Sequence, residues 1–387
     1  MEEKKLVPKL RFPGFTEPWE QRKLGEVVKS YSGGTPTASN KEYYGGDIPF
    51  IRSAEINSDT TELYITQKGL DNSSAKIVKK GTILYAMYGA TSGEVGISKI
   101  NGAINQAILA MTPLDYDSKI IAQYLRKNKE SIIGKYLQGG QGNLSANIIL
   151  ELPIQLPGLE ESNQIVYFLE SVDNLITLHQ RKLEHLKLKK KSLLQKLFPK
   201  EGEVYPELRF PGFTDPWEQR KLSEITTCFD NLRVPVTASD RVSGKTPYYG
   251  ANGIQDYVSG NTHSGEFVLI AEDGANDLND YPVQYVNGEI WVNNHAHVIA
   301  GFKEKLDNKF LSYALKTVKM TTFIVGSGRS KLNLKALLEI PISMPNYNEQ
   351  CFVGRFIDKI DTNITLHQRK LEHLQLLKKA LLQQLFV

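Results

Sequence analysis

A long leucine-rich stretch occurs twice in this chain and constrains its fold more than any other feature. Residues 173–198 read DNLITLHQRKLEHLKLKKKSLLQKLF, and residues 361–386 read DTNITLHQRKLEHLQLLKKALLQQLF. The first copy differs from the second only at positions 174, 175, 187, 189, 192 and 196. Leucines and isoleucines recur in both at a seven-residue spacing, which is the pattern of a helix that buries one face against another helix. The sequence therefore predicts two long, nearly identical helices, one at the end of each half.

The heptad pattern predicts that the two helices pair with each other in antiparallel orientation. Additional leucines widen the apolar stripe, so we expect apolar surface to remain for further helices. The residues assigned to this helix and partner interface are Ile176, Leu183, Leu186, Leu193 and Leu197 in the first copy, and Ile364, Leu371, Leu374, Leu381 and Leu385 in the second.

A second, shorter repeat opens each half of the chain. Residues 10–24 read LRFPGFTEPWEQRKL, and residues 208–222 read LRFPGFTDPWEQRKL, so that only Glu17 and Asp215 differ. Proline at these spacings excludes a regular helix. The aromatic side chains predict an extended lead-in segment that is anchored in a hydrophobic groove. The chain is therefore a tandem duplication in which lead-in, variable block and helix follow each other twice.

The blocks between the repeats show no sequence similarity to each other, yet both predict a mixed α+β domain. Short β-rich runs and glycine turns predict strands, among them separate strands near 283–286 and 290–292 in the second block. One helix is predicted in each block, at about 117–137 and 309–318. The predicted fold class is α+β, with two mixed α/β domains joined and spaced by two long, repeated antiparallel coiled-coil helices. The predicted segments are an N-terminal lead-in (1–24), a first domain (25–156), a central repeated helical region (157–207), a repeated lead-in (208–222), a second domain (223–344) and a C-terminal repeated helical region (345–387).

Composition indicates a globular protein of the cytoplasm. Hydrophobic residues make up 41% of the chain and charged residues 23%, which is enough apolar material for real cores. Only two cysteines occur, and this favours a reducing compartment. We expect no secretory signal and no transmembrane helix. The net charge of +4 is compatible with a polyanionic partner but does not require one.

Sequence signatures of catalysis are mainly absent. The chain has no GxxxxGK[ST] phosphate loop, no HExxH, CxxC, GxSxG or GxGxxG motif, and no Asn/Asp-Pro-Pro-aromatic box of amino-methyltransferases. The pattern closest to a site is His295-Ala-His297 with Asp273 and Asp277 upstream, because alternate residues of a strand share a face and could ligate a metal. No further Cys or His follows at ligand spacing. We therefore predict no catalytic residue and no metal site, with structural histidines or a polar strand facing DNA as the preferred interpretation.

Two glycine-rich loops are better candidates for contact with a polyanion. Residues 138–143 and residues 326–331 occupy matching places, each shortly before the last strand of its block. Small residues let a backbone approach a phosphate, and lysine and arginine supply charge; ordinary flexible turns are the alternative. The residues predicted to bind DNA are Arg52, Tyr88, Gln138, Asn143, Lys245, Asn252, Arg329 and Lys331.

Taken together, the repeated LRFPGFT-x-PWEQRKL lead-in, the LPIQLPGLEESNQI segment after the first block and the repeated DNLITLHQRKLEHL helix resemble specificity subunits of type I restriction-modification systems. The likeness is greatest to staphylococcal and related firmicute members and covers the whole chain. The resemblance implies a non-catalytic subunit whose two variable blocks are target recognition domains, each reading one half of a bipartite asymmetric site in double-stranded DNA. The helices would set the spacer between the half-sites.

The same resemblance implies the partners and where the chemistry is done. Two methyltransferase subunits would dock on the repeated helices, and motor-nuclease subunits would join them for cleavage. Adenine-N6 methylation with S-adenosylmethionine, and DNA cleavage with ATP and Mg, would belong to those partners, leaving this chain without a cofactor. Two alternatives remain open: a nuclease or methyltransferase with its own site near His295 and His297, and a coiled-coil protein scaffold.

Overall fold

The computed structural model describes residues 7–136, 143–325 and 331–386. The chain divides into two compact units: unit 1 comprises residues 1–178 and 371–387, and unit 2 comprises residues 179–370. Each unit therefore contains one variable block, the first part of the long helix that follows this block, and the last part of the other long helix.

Unit 1 contains two four-stranded sheets, with strand orders β2-β9-β6-β7 and β4-β3-β8-β5, and a two-stranded ribbon of β1 and β10. The strands are β1 (Glu20–Lys23), β2 (Val28–Ser32), β3 (Tyr44–Ile51), β4 (Tyr64–Ile65), β5 (Lys76–Val78), β6 (Ile83–Ala86), β7 (Val95–Ile97), β8 (Gly102–Ile104), β9 (Ile108–Pro113) and β10 (Pro153–Leu156). The helices are α1 (Leu24–Val27), α2 (Gln67–Asp71), α3 (Ser118–Lys127), α4 (Lys129–Tyr136), α5 (Ala146–Leu150) and the start of α6 (Leu159–Leu197).

The single helix predicted at about 117–137 is in fact two helices, α3 and α4, which are separated at Asn128. Asp117 caps the start of α3 by accepting a hydrogen bond from the backbone N–H of Lys119 at 2.7 Å. At the other end, both the backbone N–H and the side-chain Nδ2 of Asn128 donate to the carbonyl of Tyr124. The side-chain bond caps the last turn of α3, and the backbone departs from helical geometry at Asn128, where φ is −92° and ψ is 5°.

Unit 2 contains a six-stranded sheet of order β12-β17-β15-β16-β13-β14 and a ribbon of β11 and β18. The strands are β11 (Glu218–Lys221), β12 (Thr226–Cys228), β13 (Ser243–Gly250), β14 (Gly253–Val258), β15 (His263–Ala271), β16 (Val283–Val292), β17 (Ala296–Gly301) and β18 (Pro341–Met344). The helices are α7 (Leu222–Ile225), α8 (Asn308–Thr317), α9 (Leu334–Leu338) and α10 (Tyr347–Gln384).

Strand β16 corrects a second expectation, because the sequence predicted separate strands at 283–286 and 290–292. The intervening Gly288 does not end the strand. It lies opposite Gly265 of β15, and both glycines have positive φ angles, 109° and 138°. Side chains are disfavoured at such angles, so this glycine pair lets the two strands continue there with an unbroken register.

The two variable blocks share one fold despite their unlike sequences. In each, four strands follow the same order, since β2-β9-β6-β7 of unit 1 corresponds to β12-β17-β15-β16 of unit 2. A further strand pairs in parallel in both blocks, as shown by the registers Phe50 to Ala103 and Tyr248 to Trp291. A helix, a short helix and the last strand of the block then follow in the same order.

The repeated lead-in forms the same structure in both units. Its strand pairs antiparallel with the last strand of the block, with Glu20 opposite Leu156 and Glu218 opposite Met344. Trp19 and Trp217 are each 3% exposed. Each indole meets a phenylalanine of a long helix end edge-on, Phe386 at 6.0 Å in unit 1 and Phe198 at 5.8 Å in unit 2. These contacts place the predicted aromatic anchors within the two cores.

A buried ion pair ties each lead-in to the start of a long helix. In unit 1, Arg11 donates to both carboxylate oxygens of Glu161, at 2.7 and 2.9 Å. In unit 2, Arg209 makes the same two-point contact with Glu349, at 2.8 and 2.8 Å. The two glutamate side chains are only 2% and 1% exposed. Such bidentate pairs fix orientation as well as distance.

The long helices extend beyond the repeated stretch. Helix α6 has 39 residues and α10 has 38, because the residues before each repeat join the same helix. A helix of this length spans about 58 Å, whereas the repeat alone would span about 39 Å. The helices pair antiparallel as predicted: in unit 2, His179 lies opposite His367 and Lys190 opposite Asp361. In unit 1, Lys378 and Asp173 form the repeat equivalent of that last pair, at 2.5 Å.

Candidate nucleic-acid interface

Each unit brings the end of a central strand next to the last residue of its glycine-rich loop. In unit 1, Tyr88 forms an antiparallel β-bridge with Asn143 just after β6. In unit 2, Asp273 forms the same kind of bridge with Lys331 just after β15. Since β6 and β15 hold the same place in their sheets, the two bridges are structurally equivalent. We call them bridge 1 (Tyr88 and Asn143) and bridge 2 (Asp273 and Lys331).

The bridges bring together three of the eight residues that the sequence singled out for DNA contact. Tyr88 is 36% exposed, and Asn143 is exposed beside it. The side chain of Lys331 is 46% exposed and lies 3.0 Å from Glu272. Gln138 and Arg329 belong to the same two loops but lie outside the described residues.

The other three predicted contact residues do not belong to the bridges. The guanidinium of Arg52 binds Glu55 at 2.9 Å and Glu62 at 2.7 Å, and these hydrogen bonds raise the pKa of Arg52 above its ordinary value. Burial raises the pKa of Glu55, but the bonds from Arg52 outweigh it and lower that pKa to about 2. Arg52 is therefore engaged within its own loop.

Asn252 and Lys245 lie on the hairpin of β13 and β14. The side chain of Asn252 donates to the carbonyl of Gly274 at 2.9 Å and accepts from the backbone N–H of Asn276 at 3.0 Å. Both ends of this amide thus hold the adjacent loop. Lys245 is exposed on β13.

A charged cluster adjoins bridge 2, and its centre is His297. This side chain is 1% exposed; its Nδ1 lies 2.6 Å from Asp230, and its Nε2 lies 2.7 Å from the carbonyl of Leu332. Both ring nitrogens therefore face acceptors, and each can donate when the ring carries two protons. Leu332 directly follows Lys331, so His297 holds the chain at the base of the loop.

Arg233 and Lys331 neutralise the two carboxylates of this cluster. Arg233 lies 2.7 Å from Glu272 and 3.3 Å from Asp230. Burial raises the pKa of Asp230, but hydrogen bonds from His297 and Val298 outweigh it and hold this pKa below its ordinary value. Burial also acts to raise the pKa of Glu272, but hydrogen bonds from Arg233 and Lys331 outweigh it, so this pKa is lowered as well.

The cluster does not fit a metal site, although Asp230, Glu272 and His297 bring ligand atoms within 4.8 Å of one another. A dication would have to displace the cationic side chains of Arg233 and Lys331, which neutralise the carboxylates. The arrangement is an ion-pair network around His297.

His295 and His297 do not act together, contrary to the two-histidine site weighed from the sequence. His295 precedes β17, is about one-third exposed, and binds Asp273 at 2.5 Å rather than Asp230. The carboxylate of Asp277 accepts hydrogen bonds from the backbone N–H groups of Asn279 and Asp280 and so stabilises a turn. Sequence reasoning missed Asp230 and Arg233, which lie far before His297 in the chain and carry no local motif.

The long helices expose a second apolar face. The predicted interface residues are buried or half-buried, for example Leu183 at 8% and Leu385 at 2% exposure. Other leucines point to solvent at repeat-equivalent positions. These are Leu178 (61% exposed) and Leu376 (68%) in unit 1, and Leu188 (68%) and Leu366 (47%) in unit 2. Within the part of the chain that the structure describes, no helix is both long and apolar enough to cross a membrane.

Comparison with known proteins relates both halves of the chain to one family. Residues 16–188 and 214–376 each match the type I restriction modification DNA specificity domain. A putative type I restriction enzyme specificity subunit of Haemophilus influenzae is 47% identical over 161 residues, which cover 42% of this chain and 41% of that protein. The MjaVIII specificity subunit of Methanocaldococcus jannaschii is 25% identical over 96% of this chain and 92% of its own length.

The fold is also known from a solved structure. The S subunit of a type I restriction-modification system from M. genitalium aligns over 98% of this chain and 99% of that chain. The TM-score is 0.65 at 19% sequence identity, so this likeness shows a shared architecture. With both halves matched by the family's domain and the same fold, this chain belongs to the type I restriction-modification DNA specificity subunits.

Proposed function

We propose that this chain reads a bipartite, asymmetric site in double-stranded DNA, with unit 1 reading one half-site and unit 2 the other. The observation that carries the proposal is the equivalence of the two bridges. One scaffold presents Tyr88 and Asn143 in unit 1, and Asp273 and Lys331 in unit 2. A reader of two unlike half-sites needs this combination of a common frame and different contact residues.

The residues at the bridges have the chemistry of base readout. An asparagine amide can pair with the N6 and N7 of adenine, and a lysine can donate to the O6 and N7 of guanine. Tyr88 adds an exposed aromatic face beside Asn143. Glu272 holds Lys331 at 3.0 Å, which limits the directions in which its ammonium group can point. Unit 2 would therefore favour guanine at the position nearest Lys331.

The exposed leucines of the long helices support docking of two methyltransferase subunits. Leu178 and Leu366 are the same residue of the repeat, as are Leu188 and Leu376, so the chain offers one apolar surface twice. Two copies of one surface suit two copies of one partner. Motor-nuclease subunits would join this complex in the cytoplasm, and the partners would supply S-adenosylmethionine-dependent adenine methylation and ATP- and Mg-dependent cleavage.

An enzyme with its own site near His295 and His297 finds no support in the geometry. His297 is enclosed by Asp230 and Leu332, and His295 binds a different carboxylate. Assays of the purified chain alone should show neither nicking nor methyl transfer. A pure scaffold would bind no DNA, whereas the proposal predicts sequence-selective, salt-dependent binding by the assembled complex.

Exchange of one variable block tests the proposal that each block reads one half-site. Replacing residues 25–156 with the corresponding block of another specificity subunit should change one half of the methylated sequence and leave the other half unaltered. Methylation mapping in a host that expresses the partner subunits gives the readout. A change in both halves, or in neither, would contradict the proposal.

A further inference from the structure

One histidine of the repeat contacts the equivalent histidine of the other copy. His179 and His367 are the same residue of the repeat, and the antiparallel pairing of the helices brings them together. Their Nδ1 atoms are 2.8 Å apart, their ring centroids are 5.0 Å apart, and their planes meet at 46°. This contact lies within unit 2 and is unrelated to the bridges.

When equivalent residues of the two copies are in contact, two side chains of the same type must interact without repulsion. Two lysines or two glutamates would repel each other, whereas one neutral imidazole can donate to the other. A neutral imidazole is also the form in which histidine ligates metals.

The distance between the nitrogens suits two ligands of one metal ion. Imidazole nitrogens lie about 2.0–2.1 Å from a bound metal. Two nitrogens on one ion are then about 2.9 Å apart in cis positions of a square-planar or octahedral ion, and about 3.3 Å apart on a tetrahedral ion. The Nδ1 atoms of His179 and His367 form a hydrogen-bonded pair 2.8 Å apart. Rotation about χ2, which is a soft torsion in histidine, adjusts this distance and can aim both lone pairs at one ion.

We propose that His179 and His367 form a two-histidine site for a divalent transition-metal ion. Both rings are half-buried, so solvent can complete the coordination shell. The bound ion would link α6 to α10 and stabilise their pairing. Cu²⁺ and Ni²⁺ are the appropriate probes, because imidazole suits both ions and they bind most tightly among the first-row divalent metals.

Titration of the full chain, prepared without a histidine tag, tests the site. Calorimetry with Ni²⁺ should show one ion per chain, and the melting temperature should rise with Ni²⁺ but not with Mg²⁺, which prefers oxygen ligands. Either His179→Ala or His367→Ala should abolish both effects. No Ni²⁺ binding by the wild-type chain, or binding that survives both substitutions, would overturn the proposal.

The chain provides its own matched controls. His185 and His373 are exposed histidines of the same two helices, each following its site histidine by less than two helical turns. His185→Ala and His373→Ala should retain Ni²⁺ binding, and its loss in these variants would refute the assignment. The double variant His179→Gln with His367→Gln keeps a donor and an acceptor in the helix pair, so it should fold with wild-type helicity. Retained Ni²⁺ binding in that folded variant would also overturn the proposal.

Discussion

The stability of the fold depends most strongly on its buried ion pairs. Glu349 and Glu161 each neutralise one arginine of a lead-in, and neither glutamate has water as an alternative partner. The same lead-ins also carry exposed pairs such as Lys221 and Glu339. The difference in burial decides which pairs matter, because water weakens an exposed ion pair and cannot solvate a buried unpaired charge.

Substitution of Arg209 by methionine should therefore destabilise unit 2. The change leaves the carboxylate of Glu349 buried without its partner, and we expect a loss of about 3 kcal/mol in the free energy of unfolding. Urea denaturation of the variant and the wild-type chain measures this loss. Glu339→Gln, which removes an exposed pair, is the control and should cause no measurable change. Equal effects of the two substitutions would contradict the account.

The cluster around His297 predicts an acid sensitivity of unit 2. The pKa values of Asp230 and Glu272 are lowered in the folded state. Their contribution to stability is complete above the unfolded pKa values, about 3.9 and 4.3, and is lost as the pH falls through the lower folded values. Asp230→Asn should make the unfolding free energy less dependent on pH below about 4. Asp277→Asn should leave the wild-type dependence, and an unchanged profile for Asp230→Asn would show that the cluster contributes nothing.

At the scale of elements, the long helices bury one apolar face against each other and expose a second one. The first face was predictable because its heptads are visible in the sequence, as Leu183 and Leu186 show. The second face was predictable only as surplus leucine, since the burial that separates Leu183 from Leu178 depends on the pairing of the helices. Each long helix also includes residues before the repeat, and these differ between the halves.

Charged residues on the second apolar face of the long helices should prevent binding of methyltransferase subunits. The double variant Leu178→Lys with Leu366→Lys should fold as the wild type does, because both leucines are exposed, and should lose binding to methyltransferase subunits at least tenfold. Co-purification and calorimetry with those subunits measure the effect. Gln180→Lys with Gln368→Lys places the same charges at nearby exposed positions and should retain assembly. Undiminished binding by the leucine variant would exclude this face as the docking surface.

Lengthening both helices should lengthen the unread spacer. Insertion of one heptad after Leu186 and one after Leu374 keeps the heptad phase of both copies. The added length is about 10.5 Å, or roughly three base pairs of DNA. Methylation mapping should then find the same two half-sites with about three more base pairs between them. Altered half-sites with an unchanged spacer would show that the helices do not set the distance.

At the scale of the whole molecule, the repeated lead-ins and helices were predictable from the sequence, whereas the common fold of the two variable blocks was not. The lead-ins and helices identify themselves because each sequence occurs twice. The blocks share one strand order, yet equivalent core positions hold different residues: Tyr85 pairs with Leu109 in unit 1 where Ile270 pairs with His297 in unit 2. Packing preserves the fold through such exchanges, and a direct comparison of the two block sequences does not detect the shared fold.

The position of the candidate interface was predictable in part, because the two glycine-rich loops occupy matching places in the two blocks. Matching positions of the two glycine-rich loops pointed to Asn143 and Lys331, and the structure places both at equivalent bridges. Arg52 could not be judged from the sequence, since its engagement depends on Glu62, which a turn brings back to it. The network of Asp230, Arg233 and His297 likewise depends on strand pairing between distant segments.

The central claim is that each block reads its own half-site on a common frame. Replacement of residues 223–344 by a second copy of residues 25–156 tests it most directly, with methylation mapping of host DNA as the measurement. The claim predicts a symmetric bipartite site in which the first half-site occurs twice, at the wild-type spacing. A site that still contains the second half-site would contradict the claim.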